Sequence, residues 1–209
     1  MGLWAVAQHY DIIDTWLRSN NLPQGMNYSS YKWHCLTLDV PAQLKNGNDW
    51  VDGTGKYGKM LFKAAQAIEN SHQHAMRKSE SESPAAARQD MMGFVDGNVA
   101  RAKQLADDAR QFIGDGKPDD ATDAMNAALT YLGMAQHPIA DDTSPEHYDF
   151  QVWHGLGNPC ALAQGLFHHL RENERQYERV TKNQAAYHGE PWRHVKNTFN
   201  DSLNEILKE

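Results

Sequence analysis

Residues 119–135 read DDATDAMNAALTYLGMA. The apolar residues of this stretch recur at helical spacing and half of them are alanine, a pattern that predicts a helix packed closely inside a bundle. Asp119 or Asp120 is expected to cap its N-terminus, because an aspartate side chain accepts hydrogen bonds from the first free backbone N–H groups. The same kind of periodicity predicts further helices at residues 4–17, 57–75, 83–112, 159–187 and 192–207.

The rest of the chain lacks the alternating β-branched pattern of a strand, so no strand is predicted. Residues 23–57 are rich in Gly, Asn, Pro and Tyr without a sustained period, and are interpreted as a long irregular segment that carries site residues. A chain of 209 residues is long enough for one domain that buries about 70% of its unfolded surface. The sequence therefore predicts a single, compact, all-α domain.

The charge of the chain narrows the classes of function. Twenty Lys and Arg residues against 27 Asp and Glu give a net charge of −7, which argues against a protein that coats duplex nucleic acid. No apolar run approaches the roughly 20 residues that span a bilayer. The sequence Met1-Gly2-Leu3-Trp4 lacks the charged and apolar regions of a signal peptide. The unusual count is that of histidine, which occurs eleven times and is the commonest metal ligand in proteins.

A metal site is predicted at the C-terminal end of the central helix. His137 and Asp141 are four residues apart, so on a helix their side chains project from one face, as two ligands of one cation must. Pro145 is expected to end the helix, and His147 follows on the turn. Imidazole nitrogen and carboxylate oxygen in this arrangement suit zinc.

Other candidate ligands are spread along the chain. They are His9 on the first helix, His74 downstream of Asp49 and Asp52, and Glu172 with either His168 or His169. Taken singly, each has a structural interpretation, since a His and a Glu four apart are more often a surface pair. Aspartates are likewise common in solvated turns.

The order of these residues resembles the signature of the superfamily of zinc-dependent phospholipases C and single-strand-specific zinc nucleases. That signature reads H-x-x-x-D-x-x-x-P-x-H on and after a helix that begins Tyr-Leu-Gly. The positions of this chain that match it are Tyr131-Leu132-Gly133, His137, Asp141, Pro145 and His147. The chain departs from the family at Pro138, where an aromatic residue is usual, and at Ala140, where glycine is usual.

The resemblance implies a compact α-helical domain with up to three clustered zinc ions. His137 and Asp141 are expected to share one zinc with an upstream histidine and aspartate. These are best matched by His74 and by Asp52 or Asp49.

The resemblance also implies ligands for two further zinc ions. Asp141 is expected to bridge to a second zinc, which is completed by His9 and by the backbone amine and carbonyl of Trp4. The third zinc is expected to bind His147 together with His168, or His169, and Glu172.

The start of the chain resembles the junction of rearrangement-hotspot (Rhs) polymorphic toxins. Gly2-Leu3 matches the end of the Asp-Pro-x-Gly-Leu sequence at which the carrier core of such toxins cleaves itself, and residues 143–147 and 150–153 resemble toxin tips. Residues 1–3 are therefore expected to be a remnant of the carrier junction, and residues 4–209 the toxin domain. Cleavage after Leu3 would free the amine of Trp4 for zinc.

The resemblance further implies partners and a place of action. The expected partners are the Rhs carrier core before cleavage and a cognate immunity protein. The chain is expected to have no signal peptide of its own and to act as a secreted effector, delivered into a target cell and reaching its periplasm or inner membrane.

The implied activity is hydrolysis of a phosphodiester by water that the zinc cluster activates, with Asp52 or Asp49 orienting the water and Asp141 as the second catalytic carboxylate. The leading expectation is a phospholipase C-like antibacterial effector that cleaves membrane glycerophospholipids, since Glu172 matches the lipid-cleaving members. The alternative is a zinc nuclease or nucleotidase acting on single-stranded nucleic acid, which the spacing from Trp4 to His9 resembles more closely. A second alternative is a non-enzymatic helical binding module.

Overall fold

The structure is a computed structural model that describes residues 9–10, 12–14, 16–17, 27–54, 65, 67–142, 147, 149–153 and 199–209. Most of these residues are helical and the one sheet among them has two strands, so the predicted all-α class is confirmed. The expectations for Trp4, His168, His169 and Glu172 lie outside the described residues, as do those for residues 1–3.

Three long helices dominate the described part of the chain: α1 (Val40–Asp52), α2 (Pro84–Gly114) and α3 (Pro118–Asp141). Before α1, the 3-10 helix Tyr28–Ser30 leads into a hairpin in which β1 (Tyr31–Trp33) pairs antiparallel with β2 (Leu36–Leu38). A second 3-10 helix, Ile68–His74, precedes α2. The described residues from 9 to 17 are helical, as predicted, and so are residues 199–207. None of the helices described is both long and apolar enough to cross a bilayer.

The interpretation of residues 23–57 as an irregular segment is wrong, because they contain the hairpin and α1. The sequence of α1 gives only a weak helical signal, because Gly47 and two asparagines within it are weak helix formers. The helix is instead set by its cap and its burial. Asp39 accepts a hydrogen bond from the backbone N–H of Ala42 at 3.1 Å, and one face of α1 lies in the core.

The helix starts differ in how well the sequence predicts them. The start of α2 is confirmed, because Ser83 accepts from the backbone N–H of Ala86 at 3.1 Å and Pro84 takes the first position. The predicted cap of α3 is wrong, since Lys117 is the N-cap and Pro118 begins the helix. Asp119 and Asp120 lie in its first turn instead, where negative charge is favourable beside the helix dipole.

The core forms around α3, which contacts both α1 and α2. The alanines of the opening stretch are buried as predicted: Ala121, Ala128 and Ala135 are at most 1% exposed. Small side chains let neighbouring helices approach closely, and larger residues such as Leu129 and Leu132 fill the space at the sides.

The closest approach in the core lies between α1 and α3, where Gly47 and Gly133 face the opposite backbone. A Cβ atom at Gly47 would overlap the carbonyl oxygen of Thr130 and lie 2.6 Å from the backbone nitrogen of Met134. A Cβ atom at Gly133 would likewise overlap the carbonyl oxygen of Leu44. Both obstacles are backbone, which cannot turn aside, so any other residue at either position forces the helices apart.

We expect Gly133→Ala to lower the free energy of unfolding by about 3 kcal/mol, because the added methyl group overpacks a backbone contact. Gly97→Ala on α2 is the matched control, since nothing lies within 4 Å of a Cβ there. It should raise stability by up to about 1 kcal/mol through the higher helix propensity of alanine. Urea denaturation of the three proteins measures both effects. Equal stability of Gly133→Ala and the parent would contradict this close packing.

Candidate metal centre

Four segments bring buried histidines and carboxylates together at one end of the α1–α3 pair. His137 and Asp141 lie one turn apart on α3, and the helix continues through Pro138 without losing that relation. Asp52 is the last residue of α1, and His74 ends the 3-10 helix Ile68–His74. His9 comes from the N-terminal helix, of which residues 9–10, 12–14 and 16–17 are described. The four residues of the cluster other than Asp52 are 0–7% exposed.

Contacts outside the cluster dock the N-terminal helix against α1. The hydroxyl of Tyr10 donates to Oδ1 of Asp49 at 2.7 Å, and Lys45 donates to Asp14 at 2.8 Å. Burial and the bond to Asp49 raise the pKa of Tyr10 above its usual range, so its hydroxyl stays protonated and remains a donor. These bonds hold the residue next to Tyr10, His9, in the cluster.

The tightest part of the cluster is formed by His74, His137, Asp141 and Asp52. Nε2 of His137 lies 3.2 Å from Nδ1 of His74, 3.2 Å from Oδ2 of Asp141 and 3.5 Å from Oδ1 of Asp52. Nδ1 of His74 lies 3.5 Å from Oδ2 of Asp141 and 4.0 Å from Oδ1 of Asp52. Ligand atoms of His74, Asp141 and Asp52, which come from three segments of the chain, thus lie within 3.5 Å of Nε2 of His137.

These separations match those between the ligands of a tetrahedral cation. Zinc bonds to nitrogen and oxygen of 2.0–2.2 Å place neighbouring ligand atoms about 3.3 to 3.6 Å apart. The separations among His74, His137 and Asp141 are 3.2 to 3.5 Å, and Oδ1 of Asp52 lies 3.5 Å from His137 and 4.0 Å from His74. The group can hold a metal ion after shifts of a few tenths of an ångström.

The hydrogen bonds on the far sides of the rings also suit metal binding. Nε2 of His74 faces the carbonyl oxygen of Ala65 at 3.4 Å, and Nδ1 of His147 faces the carbonyl oxygen of His74 at 2.6 Å. A carbonyl only accepts, so each of these nitrogens carries a proton, and the other ring nitrogen is the one that can present a lone pair. This is the usual outer support of metal-binding histidines.

Burial and charge set the protonation of the central pair. Burial lowers the pKa of His137 and outweighs the carboxylates of Asp141 and Asp52, which act to raise it. Burial raises the pKa of Asp141, but the imidazoles of His137, His147 and His9 outweigh it and hold that pKa well below its usual range. A neutral imidazole and an ionised carboxylate are the forms that bind metal. Lone pairs that face each other in this way repel unless a cation or a shared proton lies between them.

The second oxygen of Asp141 faces a different histidine. Oδ1 lies 3.2 Å from Nε2 of His9, whose ring stacks on that of His137 with the centroids 4.3 Å apart. His9, Asp52 and His137 form a second group with ligand atoms within 4.8 Å of one another. The carboxylate of Asp141 thus faces His9 with one oxygen, and His74 and His137 with the other.

Aromatic packing and backbone pairing support the histidine side of the cluster. The ring of Trp153 stacks on His74, with centroids 5.2 Å apart and planes 8° from parallel. Trp153 is held there because its backbone N–H donates to the carbonyl of Arg77 at 2.7 Å, just beyond the 3-10 helix that carries His74. Trp153 is half-buried.

The structure brings together five of the predicted ligands: His9, Asp52, His74, His137 and Asp141. His147 is buried beside them and acts electrostatically on Asp141. Of the two aspartates that the sequence left open, the geometry favours Asp52 as the ligand. Oδ1 of Asp49 instead accepts from Tyr10 at 2.7 Å and from Thr54 at 3.3 Å.

One contributor that the sequence did not predict is Asn48, whose Oδ1 lies 3.1 Å from Nδ1 of His137. Asn48 precedes Asp52 by four residues, so both lie on one face of α1. That spacing is visible in the sequence only once α1 is known to be a helix.

Comparisons of the chain with models of protein families, with curated proteins and with solved structures find no match. The description of the site therefore stands on its geometry. Buried histidines and aspartates of this chain are arranged so that they can hold a metal ion.

Proposed function

We propose that this chain is a zinc-dependent phosphodiesterase, a hydrolase of the phospholipase C type. The observation that carries the proposal is that the two oxygens of Asp141 face different histidines. Oδ1 is 3.2 Å from Nε2 of His9, and Oδ2 is 3.2 Å from Nε2 of His137. A carboxylate placed in this way can bridge two cations, and clustered metal ions are typical of enzymes that hydrolyse phosphodiesters.

Each zinc would have its own set of ligands. The first would be held by His137 together with Asp52, His74 and Oδ2 of Asp141, whose ligand atoms lie 3.2 to 3.5 Å from Nε2 of His137. The second would be held by His9 and Oδ1 of Asp141. The resemblance adds Trp4 to the second zinc, and assigns a third zinc to His147, His168 and Glu172.

Bound zinc would supply a polarised phosphoryl oxygen and a water of lowered pKa. The chain itself would supply orientation and proton transfer. The side chain of Asp52 is 17% exposed, against 0% for His137 and 8% for Asp141. Asp52 is therefore the carboxylate that can reach a water at the rim of the cluster and accept its proton.

Membrane phospholipid is the proposed substrate. The net charge of −7 argues against a protein that coats duplex nucleic acid, and Glu172 matches the lipid-cleaving members of the family that the sequence resembles. Half-buried Trp153, stacked on His74, adds apolar surface beside the cluster. The resemblance of Gly2-Leu3 to an Rhs junction extends the proposal to an antibacterial effector that is released from a carrier core, delivered to the periplasm or inner membrane of a target cell, and bound by an immunity protein.

The first test is zinc binding. The parent protein, incubated with zinc and then desalted, should retain about one to three zinc ions per chain and melt at a higher temperature than after chelation. His137→Ala should lose zinc, because it removes a nitrogen from the centre of the cluster. His34→Ala is the matched control, since His34 is an exposed histidine of the hairpin turn. Elemental analysis with less than one zinc per parent chain would contradict the proposal.

The second test is catalysis, with diacylglycerol release from phosphatidylethanolamine and phosphatidylglycerol vesicles compared with digestion of single-stranded DNA. We expect lipid hydrolysis that a chelator abolishes and that Asp141→Asn lowers by more than about a hundredfold. Asp142→Asn is the matched control, because Asp142 is equally buried and burial raises its pKa to about 6, so a neutral side chain is tolerated there.

The other possible results of this assay each contradict a different part of the proposed function. DNA digestion without lipid hydrolysis supports the nuclease alternative. Activity that survives chelation rejects zinc catalysis. A zinc-loaded protein inactive on both substrates supports a helical binding module.

The third test separates the two aspartates of α1. Asp52→Asn should weaken zinc binding and lower turnover by more than about tenfold, because Asp52 faces His74 and His137. Asp49→Asn should change either quantity by less than about threefold, because an asparagine oxygen still accepts from Tyr10. Chelator competition and initial rates measure the two effects, and the reverse ranking would transfer the assignment to Asp49.

A further inference from the structure

Asn48 is the polar residue through which α1 touches the central histidine. It is 1% exposed and lies one residue after Gly47, at the point where α1 and α3 approach most closely. Its Oδ1 is 3.1 Å from Nδ1 of His137. A buried polar group at such a place must have partners for both ends of its amide.

The surroundings of Asn48 fix which end of the amide faces His137. Its Nδ2 donates to Oε1 of Gln136 at 2.9 Å, to the carbonyl of Gly133 at 3.1 Å and to the carbonyl of Leu44 at 3.3 Å. The opposite orientation would set Oδ1 against two backbone carbonyls, which only accept. The amide therefore points its NH₂ group toward these oxygens and its Oδ1 toward the imidazole.

This orientation determines the tautomer of His137. An amide oxygen accepts and cannot donate, so Nδ1 of His137 must carry the proton of the neutral ring. Its other nitrogen, Nε2, then presents a lone pair to Asp52, His74 and Asp141, all within 3.5 Å. The opposite tautomer would place a proton where a metal ion has to bind and leave Nδ1 facing an acceptor.

We propose that Asn48 is a positioning residue, which holds His137 in the Nδ1–H tautomer and thereby aims Nε2 at the candidate metal centre. The inference rests on the metal centre of the proposed function, but not on its substrate. The outer bonds of His74 and His147 run to backbone carbonyls, whereas that of His137 runs to a side chain and can be tested by substitution.

The test uses the full chain labelled with ¹⁵N-histidine, and reads the tautomer of His137 from long-range ¹H–¹⁵N spectra of the metal-free protein at pH 7.5. The His137 signal is assigned by its loss in His137→Ala. The parent should show the Nδ1–H tautomer. Asn48→Leu, which keeps the branching and the number of side-chain heavy atoms but removes the acceptor, should lose that preference and bind zinc 10- to 100-fold more weakly in chelator competition, the range typical of outer-support residues.

Two further variants separate positioning from general destabilisation. Asn48→Asp keeps an acceptor for His137 but sets its other oxygen against the carbonyls of Gly133 and Leu44, so it should be less stable than the parent. The Gln136 amide can turn to donate to the new carboxylate, since its buried Nε2 has no partner among the described residues. This variant should retain the tautomer and bind zinc within about threefold of the parent, as carboxylate–histidine–zinc triads do. Asn98→Leu removes an amide that bonds to Phe94 of its own helix, and should change neither reading.

The outcomes decide the inference without reference to catalysis. A parent in which His137 is the Nε2–H tautomer overturns it, even if Asn48→Leu fails to fold. Unchanged tautomer and zinc affinity in a folded Asn48→Leu also overturn it. An inactive parent that shows the expected tautomer and zinc shifts would instead remove the proposed function and leave the role of Asn48 standing.

Discussion

The close approach of α1 and α3 at Gly47 and Gly133 governs how these two helices bring their polar residues together. Two helix backbones can approach so closely only where neither carries a Cβ atom, and here each glycine meets the opposite main chain. The next residue of α1, Asn48, is thereby pressed against α3 within reach of His137. One turn further along α1, Asp52 arrives beside the same ring. The positions of Asn48 and Asp52 in the cluster thus depend on a packing contact between two glycines.

The cluster itself runs against the ordinary rules for a protein interior. Buried polar groups are costly unless each donor finds an acceptor, and here acceptor nitrogens and carboxylate oxygens face one another. The outer hydrogen bonds of His74, His137 and His147 raise this cost in a metal-free core, because their ring N–H groups donate to oxygens outside the cluster. Such an arrangement is understandable where a cation belongs at the centre. Local rules that fail together at one place are expected at functional sites.

The sequence predicted some of this site for reasons that can be stated. The spacing of His137 and Asp141 has a fixed meaning on any helix, so their shared face was predictable once the helix was. Asn48 and the correct choice between Asp49 and Asp52 were not predictable in that way, because the composition of α1 gives a weak helical signal. Asp49 is occupied by Tyr10, a contact between residues 39 positions apart that no local pattern encodes.

Periodicity along single segments was enough to predict the all-α class, the alanine-lined helix α3 and the shared face of His137 and Asp141. Which distant residues join that pair depends on tertiary packing. His9, Asp52 and His74 come from segments that are separate in sequence, and they meet because hydrophobic burial and the glycine contact fix how those segments pack. It also decided the tautomer of His137, since a proton on a ring nitrogen is placed by its three-dimensional neighbours.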